Sequence, residues 1–517
     1  MTLSSARIKE IASSANTPVV QHEYSRIAKI HKYWSRKPWS VIDHFVSTYS
    51  DTGQVVLDPF CGSGVVGLQA LKAGRNFIGS DLNPFAVRLT KETLDTNFDE
   101  ESFKSSLIII QNLAMDAINE LYRINDILVL YSVPHQLDPV EHNAVVKQIG
   151  KTKSSKIRID LNSLPKISFK ATDNPNLPDQ AFPENFYKDR FSYKGISRIS
   201  ELFSDRNLKA LSILNDAISN LDNKTKGYFE LCLTNTLLHV SKLKSERVRP
   251  LGVNNFWIPD DYIEENVWWR FEDRCKQFAI AKQTIRDSFA TGDPKKSPTH
   301  RVEINDATKL LGIRDESIDY ILTDPPYGEA IQYSELSVVW NCWLRQTYET
   351  TNEIIINPEQ NKSMDTYSSM LNAFITQAAR VLRKNGKMTI SFHSKDIELW
   401  CELAGSLYAS GFKMLDLYIS HGLGSPFTKN WAKFSPKSDI YITVANSQLT
   451  ERKVIESSGQ EFFETLREDI NEFSANQQQV YDYIVLAAIN ATMSGKKLTG
   501  LKRRNMASLL SAFSPTE

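Results

Sequence analysis

The chain has 517 residues, enough for more than one domain, and its hydrophobic content of 41% and charged content of 24% are typical of globular proteins. Basic and acidic residues number 61 each, so the formal net charge is zero, which excludes a uniformly basic nucleic-acid-binding protein and requires any such surface to come from local clustering. The 5 cysteines are scattered without a C-x-x-C pair and no apolar run reaches about 18 residues, so we expect a cytoplasmic protein without zinc ribbon, disulfide framework, signal peptide or membrane span.

The N-terminal region combines a polar arm with a dense aromatic and basic segment. Residues 1 to about 20 are rich in serine and alanine, and we expect a loose arm there. The segment His31–Trp39 (HKYWSRKPW) then concentrates aromatic rings and cations before a stretch with helical spacing. Exposed aromatic rings need a reason, so this segment predicts a ligand-facing role. A surface turn covered by amphipathic aromatic side chains is the alternative.

A βαβ unit follows. Its first strand ends at Asp58 and its second strand ends at Asp81, so each strand finishes with a carboxylate. A glycine turn joins the first strand to its helix, and Gly74 stops that helix. The predicted elements are a strand Val55–Asp58, the turn Pro59–Gly64, a helix Val65–Ala73, a strand Asn76–Asp81 and a helix from Asn83-Pro84 to about Asn97.

This unit predicts a site for a nucleoside-containing cofactor. Glycines let the backbone approach a ligand closely, and a helix N-terminus offers unpaired N–H groups. An acid that ends the second strand can accept both hydroxyls of a ribose. The turn reads D-P-F-C-G-S-G, which is neither G-x-G-x-x-G nor a phosphate-binding loop. The pattern is therefore compatible with a dinucleotide, a nucleotide or S-adenosylmethionine. The absence of G-x-G-x-x-G counts against a dinucleotide, and the absence of a phosphate-binding loop counts against a nucleotide.

Residues 100–299 are too many for a connecting loop and must carry their own structure. Basic side chains cluster three times in this interval, and aromatic residues interleave with the second cluster. Such clusters suit phosphate contacts and base stacking, although solvated surface charge explains most basic runs. We predict DNA contacts by Lys151, Lys153, Lys156, Arg158, Lys188, Arg190, Lys194, Arg198, Lys244, Arg247 and Arg249.

The second chemical motif ends a short apolar strand. Ile318–Thr323 runs directly into Asp324-Pro325-Pro326-Tyr327. A carboxylate, a fixed backbone carbonyl and an aromatic ring at the carboxyl end of a parallel strand suit binding of a flat ring that bears an amine. A strand end followed by a Pro-Pro turn is the plain structural alternative. Around it we expect strands Val302–Asp306, Lys387–His393, Lys413–Ile419 and Ser438–Ala445, a helix Ala373–Leu382 closed by Lys384-Asn-Gly386, and a charged helical tail over 450–517.

Asp58–Gly64 and Asp324–Tyr327 together resemble the cofactor and catalytic motifs of the amino-group DNA methyltransferases, which modify adenine N6 or cytosine N4. The string Asp324–Ser337 (DPPYGEAIQYSELS), with Trp340 and Trp343-Leu344, is similar to adenine-specific methylases often described with a zinc ribbon, and Lys32–Pro38 resembles their N-terminal motif. The resemblance covers about residues 30–100 and 300–445. This chain lacks the zinc-ribbon cysteines, and we expect no metal.

The resemblance implies an α/β, Rossmann-like S-adenosylmethionine-dependent methyltransferase fold, with a mostly parallel seven-stranded sheet, a large inserted domain and a helical C-terminal tail. It also implies a cofactor site and a catalytic motif. Asp324 and the Pro325 carbonyl would hold the amine, Tyr327 would stack on the extruded base, and Lys37 or the backbone near it would meet the cofactor's carboxylate. Asp306 would reach the cofactor's adenine, unless it caps a helix. The implied residues are catalytic Asp324, Pro325, Pro326 and Tyr327, and cofactor-binding Lys37, Asp58, Pro59, Phe60, Cys61, Gly62, Gly64, Asp81, Leu82 and Asp306.

The expected organisation follows the order of these motifs. Residues 1–99 form an N-terminal arm and the first half of the methyltransferase domain, 100–299 a target-recognition and DNA-binding insert, 300–449 the second half, and 450–517 a helical extension. The expected activity is site-specific N6-adenine methylation of duplex DNA by base flipping, in a restriction-modification or phage-defence setting with a restriction or defence-system partner. N4-cytosine methylation, RNA base methylation and a non-catalytic DNA-binding subunit of a defence complex are the alternatives.

Overall fold

A computed structural model describes residues 3–14, 22–135, 138–186, 195–247, 249–250, 256–289, 298–347, 349–421, 438–447, 453–471 and 477–501. The strands are β1 Val55–Asp58, β2 Asn76–Asp81, β3 Arg123–Ile124, β4 Ile127–His135, β5 Asp138–Gln148, β6 Ser154–Asp160, β7 Glu264–Glu265, β8 His300–Ile304, β9 Ile318–Thr323, β10 Leu382–Phe392, β11 Phe412–His421, β12 Ser438–Asn446, β13 Ile455–Ser458 and β14 Lys496–Thr499.

The α-helices surround these strands. They are α1 Ser5–Ser13, α2 His22–Ile27, α3 Trp39–Tyr49, α4 Val65–Lys72, α5 Pro84–Leu94, α6 Glu100–Ile110, α7 Asp116–Glu120, α8 Asp205–Ser219, α9 Asn223–Leu237, α10 Val267–Phe289, α11 Tyr333–Leu336, α12 Val338–Trp343, α13 Met364–Val381, α14 Ile397–Ala409, α15 Gly459–Asn471 and α16 Gln477–Met493. Within the described ranges, every helix is too short or too polar to serve as a membrane span.

One mostly parallel sheet organises the molecule. Its 7 strands lie in the order β11-β12-β10-β9-β1-β2-β8. β12 pairs antiparallel with both β10 and β11, whereas β8, β2, β1, β9 and β10 pair in parallel. The carboxyl ends of β1, β2 and β9 therefore lie at one edge of the sheet, which brings Asp58, Asp81 and Asp324 to the same side of the molecule.

Local sequence explains the elements next to this edge. β9 is a nearly continuous buried run, as expected for a central parallel strand. Asn83 caps α5 by accepting from the Phe85 N–H, and Pro84 occupies the first turn. Gly64 caps α4 with a φ of 81°, a conformation that favours glycine.

The predicted boundaries near α13 were wrong. The helix begins at Met364, well before Ala373, because Ser363 caps it by accepting from the Thr366 N–H. The Lys384-Asn-Gly386 segment, predicted to close the helix, lies within β10. The pairing of β10 with β9 changes register between Leu382 and Lys387, which accommodates these turn-forming residues within the strand.

Residues 100–299 carry a second, smaller sheet and several helices. β3, β4, β5 and β6 pair antiparallel in sequence, and β7 pairs with β4. Their apolar side chains join those of α3, α5 and α12 in one continuous core. Lys282 of α10 is fully buried and donates to the carbonyls of Glu92 and Asp95 at the end of α5. The insert is thus packed onto the first block through a shared core.

Candidate active site

An open cavity with an empty volume of about 1000 Å³ lies at the carboxyl ends of β1, β2 and β9. The two sequence motifs and the aromatic N-terminal segment all contribute to its wall. The residues that line it include Tyr33, Trp34, Arg36, Lys37, Asp58, Pro59, Phe60, Cys61, Gly62, Asp81, Leu82, Asp324, Pro326, Tyr333, Asn352 and Glu353.

Asp58 anchors the glycine turn through hydrogen bonds. It is buried, and its Oδ1 accepts from Thr323 Oγ1 at 2.7 Å and from the Phe60 N–H at 3.1 Å. Burial raises the pKa of this carboxyl to about 7, although both hydrogen bonds oppose the shift. The bond to Thr323 ties the glycine turn to the last residue of β9, directly before Asp324.

The glycine turn has no room for a side chain at its tip. Gly62 has a φ of 49°, and a Cβ there would lie 2.9 Å from Cε1 of Tyr33. The ring of Tyr33 thus packs directly against the backbone that faces the cavity. Burial raises the pKa of the Cys61 thiol, which keeps it protonated and unsuited to act as a nucleophile.

Asp81 is held in place by backbone donors. Its two carboxylate oxygens accept from the N–H groups of Gly62 at 3.0 Å and Asn83 at 2.9 Å, and its side chain lines the cavity. Burial raises its pKa to about 6. Each oxygen can accept further hydrogen bonds, so the carboxylate is oriented for hydroxyl donors of a ligand.

Asp324 combines cavity access with close partners. Its side chain is 21% exposed, its Oδ1 lies 3.3 Å from Lys37 Nζ, and Tyr327 Oη donates to the same oxygen. Burial raises the pKa of Asp324 to about 6, while the charge of Lys37 opposes the shift. The carboxylate is therefore largely ionised at neutral pH and can accept a hydrogen bond from an amine.

Three of the predicted residues have partners within the chain that their predicted roles did not include. Lys37, predicted to meet the cofactor's carboxylate, instead places Nζ between Asp324 and Asp439 and donates to Tyr327 Oη at 2.6 Å. Burial opposes its charge, but the two carboxylates raise its pKa well above the ordinary value. Asp306 does not line the cavity: its carboxylate accepts from the N–H and hydroxyl of Thr308 and caps a turn, and no helix follows it among the described residues.

Tyr327 also differs from its predicted role. Its ring is only 8% exposed, packs edge-on against Phe392 at 5.2 Å and does not line the cavity. The aromatic face next to Asp324 belongs instead to Tyr333, whose ring stacks against Tyr33 at 6.1 Å. The run of aromatic residues after the Asp-Pro-Pro-Tyr motif was visible in the sequence, but the motif alone could not indicate which ring faces the ligand.

The remaining predicted cofactor residues are placed as follows. Pro59, Phe60, Cys61, Gly62 and Leu82 line the cavity together with Asp58 and Asp81. Gly64 lies one turn away as the N-cap of α4 and packs against Thr90. Glu353, which no motif predicted, is buried in the wall and accepts from the Ser334 N–H at 3.0 Å.

The predicted DNA-binding residues fall into three groups. Lys151, Lys153, Lys156 and Arg158 are exposed on the β5–β6 hairpin, and Arg247 and Arg249 are exposed near α9. Arg198 pairs with Asp179 at 2.7 Å and Lys244 pairs with Glu265 at 2.8 Å, so both have partners within the chain. Lys188, Arg190 and Lys194 lie outside the described residues.

Comparisons with known proteins agree with the motifs. A family model described as DNA methylase matches residues 8–92. The type II methyltransferase M.HpaI of Haemophilus parainfluenzae is 34% identical over 65 residues, 13% of this chain and 21% of that protein. The DNA adenine methyltransferase YhdJ of Escherichia coli K12 is 34% identical over 61 residues, 12% and 21% respectively. The type II methyltransferase M.MjaII of Methanocaldococcus jannaschii is 29% identical over 83 residues, 16% of each.

These alignments span about a fifth of the relatives' length. They support the resemblance to amino-group DNA methyltransferases and support S-adenosylmethionine as the cofactor. Among solved structures, the rRNA methyltransferase AviRa of Streptomyces viridochromogenes aligns with 83% of this chain and 95% of its own at 10% identity and a TM-score of 0.29. A SAM-dependent methyltransferase of Methanosarcina mazei aligns with 31% and 75% at 9% identity and a TM-score of 0.17.

Proposed function

We propose that this chain is an S-adenosylmethionine-dependent DNA methyltransferase of Rossmann-like fold that methylates the exocyclic N6 amine of an adenine flipped out of duplex DNA. The observation that carries the proposal is the position of Asp324. Its carboxylate opens into the same cavity as Asp81 and the glycine turn, so one cavity offers an amine acceptor beside a nucleoside site.

The residues that line the cavity suit the proposed cofactor. The backbone of Gly62, which packs against Tyr33, would contact the methionine portion. The carboxylate of Asp81 is oriented for the ribose hydroxyls. When bound, S-adenosylmethionine supplies an electrophilic methyl group on a sulfonium. The residues of this chain hold that group toward Asp324, and alignment of this kind accounts for much of the rate acceleration in such transfers.

The target amine needs help because its lone pair is delocalised into the ring. Asp324 and the carbonyl of Pro325 each accept one amino hydrogen, which returns electron density to the nitrogen. Lys37 and Tyr327 both contact Oδ1 of Asp324, and no described residue donates to Oδ2. Oδ2 is therefore the oxygen that we assign to the substrate amine, with Tyr333 providing the stacking face.

The basic hairpin brings the DNA to this site. A base within a duplex cannot reach Asp324, so it must be extruded, and phosphate contacts stabilise the distorted duplex. Lys151, Lys153 and Lys156 are exposed side chains on one hairpin and are therefore available for such contacts. We further propose that the enzyme acts together with a restriction or defence-system partner.

The test is methylation-sensitive sequencing of DNA from a host that expresses the chain or the Asp324→Ala variant. We expect N6-methyladenine at one short sequence with the wild-type chain and none with the variant. Identical patterns for the two chains would refute catalysis at Asp324. N4-methylcytosine at the sites would leave the cavity assignment standing and overturn the choice of base. A parallel in vitro assay with duplex DNA and with RNA tests which of the two nucleic acids is the substrate.

A further inference from the structure

A buried polar cluster surrounds Oδ1 of Asp324 at the wall of the cavity. Lys37 Nζ is 3.3 Å from Asp324 Oδ1, 3.3 Å from Asp439 Oδ2 and 2.6 Å from Tyr327 Oη. The lysine comes from the segment before α3, and Asp439 is the second residue of β12. Three distant parts of the chain therefore meet at one ammonium group.

Asp439 extends the cluster away from the cavity. Its Oδ1 lies 3.2 Å from Nδ1 of His393, which directly follows β10, and its side chain is 15% exposed. Asp439 does not line the cavity, whereas Lys37 and Asp324 do. The carboxylate of Asp439 is therefore linked to the cavity through its contact with Lys37.

We propose that Lys37 and Asp439 are positioning residues that fix the orientation and the ionisation of Asp324 for methyl transfer. This inference rests on the proposed function, because it assigns these two residues to the same reaction. The Lys37 ammonium holds Oδ1 of Asp324, which directs Oδ2 toward the cavity. Asp439 shares the charge of the lysine, so the ion pair does not fully neutralise Asp324.

The charges around Asp324 predict the direction in which its pKa changes when either neighbour is replaced. Lys37 lowers the pKa of Asp324 and Asp439 raises it, while burial raises it most. Removal of the lysine charge should therefore raise that pKa, and removal of the Asp439 charge should lower it. The titratable groups that face Asp324 and each other in this cluster are Lys37, Asp58, Tyr327, Tyr333, His393, Asp439 and Tyr441.

The experiment is single-turnover methyl transfer from radiolabelled S-adenosylmethionine to duplex DNA, measured between about pH 5 and pH 9. Lys37→Met should move the acidic limb of the rate profile upward by about one pH unit or more, and Asp439→Asn should move it downward by a smaller amount. Lys37→Arg keeps the charge and should leave the limb near its wild-type position. Asp416→Asn, on the edge strand β11, is the matched control and should not move it.

The outcomes separate the inference from the proposed function. If Asp439→Asn and Lys37→Met slow the reaction while the acidic limb stays in place, the two residues are merely structural and the inference is overturned. If Lys37→Met does not fold, Asp439→Asn still decides the matter: a downward shift of the acidic limb supports the inference, and an unmoved limb overturns it. If the wild-type chain transfers no more methyl than Asp324→Ala, the proposed function itself fails.

Discussion

At the scale of single residues, the site concentrates carboxylates that burial makes more basic than usual. Burial raises the pKa of Asp58 to about 7 and the pKa values of Asp81 and Asp324 to about 6. The charged forms are costly to bury, so the molecule keeps them only where hydrogen-bond donors or a lysine repay part of the cost. For the role proposed for Asp324 this matters, because an ionised carboxylate is a stronger acceptor for an amine hydrogen than a neutral carboxyl.

The wild-type enzyme should therefore lose activity in mild acid. The folded-state pKa of Asp324 is about 6, so the rate of methyl transfer should fall roughly tenfold per pH unit well below pH 6. Single-turnover rates with saturating DNA and cofactor measure this directly. A rate that stays constant down to about pH 5 would mean that the ionised form of Asp324 is not required.

The tip of the glycine turn should tolerate no methyl group. Gly62→Ala places a Cβ 2.9 Å from Tyr33 and strains a positive φ, so we expect affinity for S-adenosylhomocysteine to fall about tenfold in calorimetry. Gly53→Ala is the matched control, because Gly53 also has a positive φ but no atom within 4 Å of the point that a Cβ would occupy. Equal losses for both variants would assign the effect to backbone strain.

Another buried carboxyl, that of Asp482 in α16, predicts a pH dependence of stability. Burial raises its pKa to about 7, above the unfolded value of 3.8, so the proton favours the folded state and stability is lost as pH rises toward 7. Asp482→Asn should remove the part of this loss that falls between pH 5.5 and pH 8, on the order of 2 kcal/mol. Thermal unfolding at pH 5.5 and pH 8 measures it, with the exposed Asp51→Asn as control. An unchanged pH dependence would contradict the prediction.

The sequence was sufficient to predict the location of residues that lie at the ends of strands. Asp58 and Asp81 end their short strands and Asp324 directly follows its own, so the parallel sheet brings the three together. The roles of Lys37, Asp439 and Tyr333 depend on contacts between segments hundreds of positions apart, and local pattern carries no information about them. Which of two tyrosines faces the cavity is decided by packing against Phe392, which periodicity does not encode.

At the scale of elements, a single lysine joins two parts of the molecule. Lys282 of α10 donates to the Glu92 and Asp95 carbonyls and to Asp95 Oδ2, at the C-terminus of α5. These donations satisfy carbonyls that a helix end leaves without partners, and the positive charge suits the negative end of the helix dipole. The helical spacing of α10 was not predicted, because its apolar positions are interrupted by many charged residues.

Removal of this lysine should cost about 3 kcal/mol of unfolding free energy, because Lys282→Met removes the donor to the carbonyls of Glu92 and Asp95 and the cation beside the Asp95 carboxylate. Urea denaturation measures the loss. Lys276→Met on the same helix is the matched control, since its side chain is 63% exposed and pairs only along the helix with Glu272. A loss below about 0.5 kcal/mol for Lys282→Met would contradict the role assigned to it.

At the scale of the whole molecule, zero net charge conceals an uneven distribution. Lys151, Lys153 and Lys156 are exposed on one hairpin, whereas many other cations pair with carboxylates of the same chain. If the hairpin contacts phosphates, replacing all three by glutamine should weaken DNA binding and reduce the slope of log affinity against log salt by about 1 to 3. Fluorescence anisotropy with a labelled duplex measures both quantities.

The control for this prediction uses lysines elsewhere on the surface. Lys104 and Lys276 are ion-paired along their own helices, and replacing them by glutamine should leave the salt slope close to the wild-type value. Equal slopes for the hairpin variant and the wild-type chain would place the DNA on another surface. Loss of affinity with no change of slope would indicate a contact without counterion release.

The pairing of β1 with β9 also has a consequence for synthesis of the chain. β1 pairs with β9, and Val55 donates to Asp319 across 264 residues, so the centre of the sheet cannot close until the whole insert has been translated. At about 5 to 20 residues per second, the edge of β1 waits for roughly 13 to 50 s on the ribosome. An unpaired hydrophobic strand is prone to aggregation during such a delay. Production of this protein should thus respond to chaperone supply and to the speed of translation through codons 100–299.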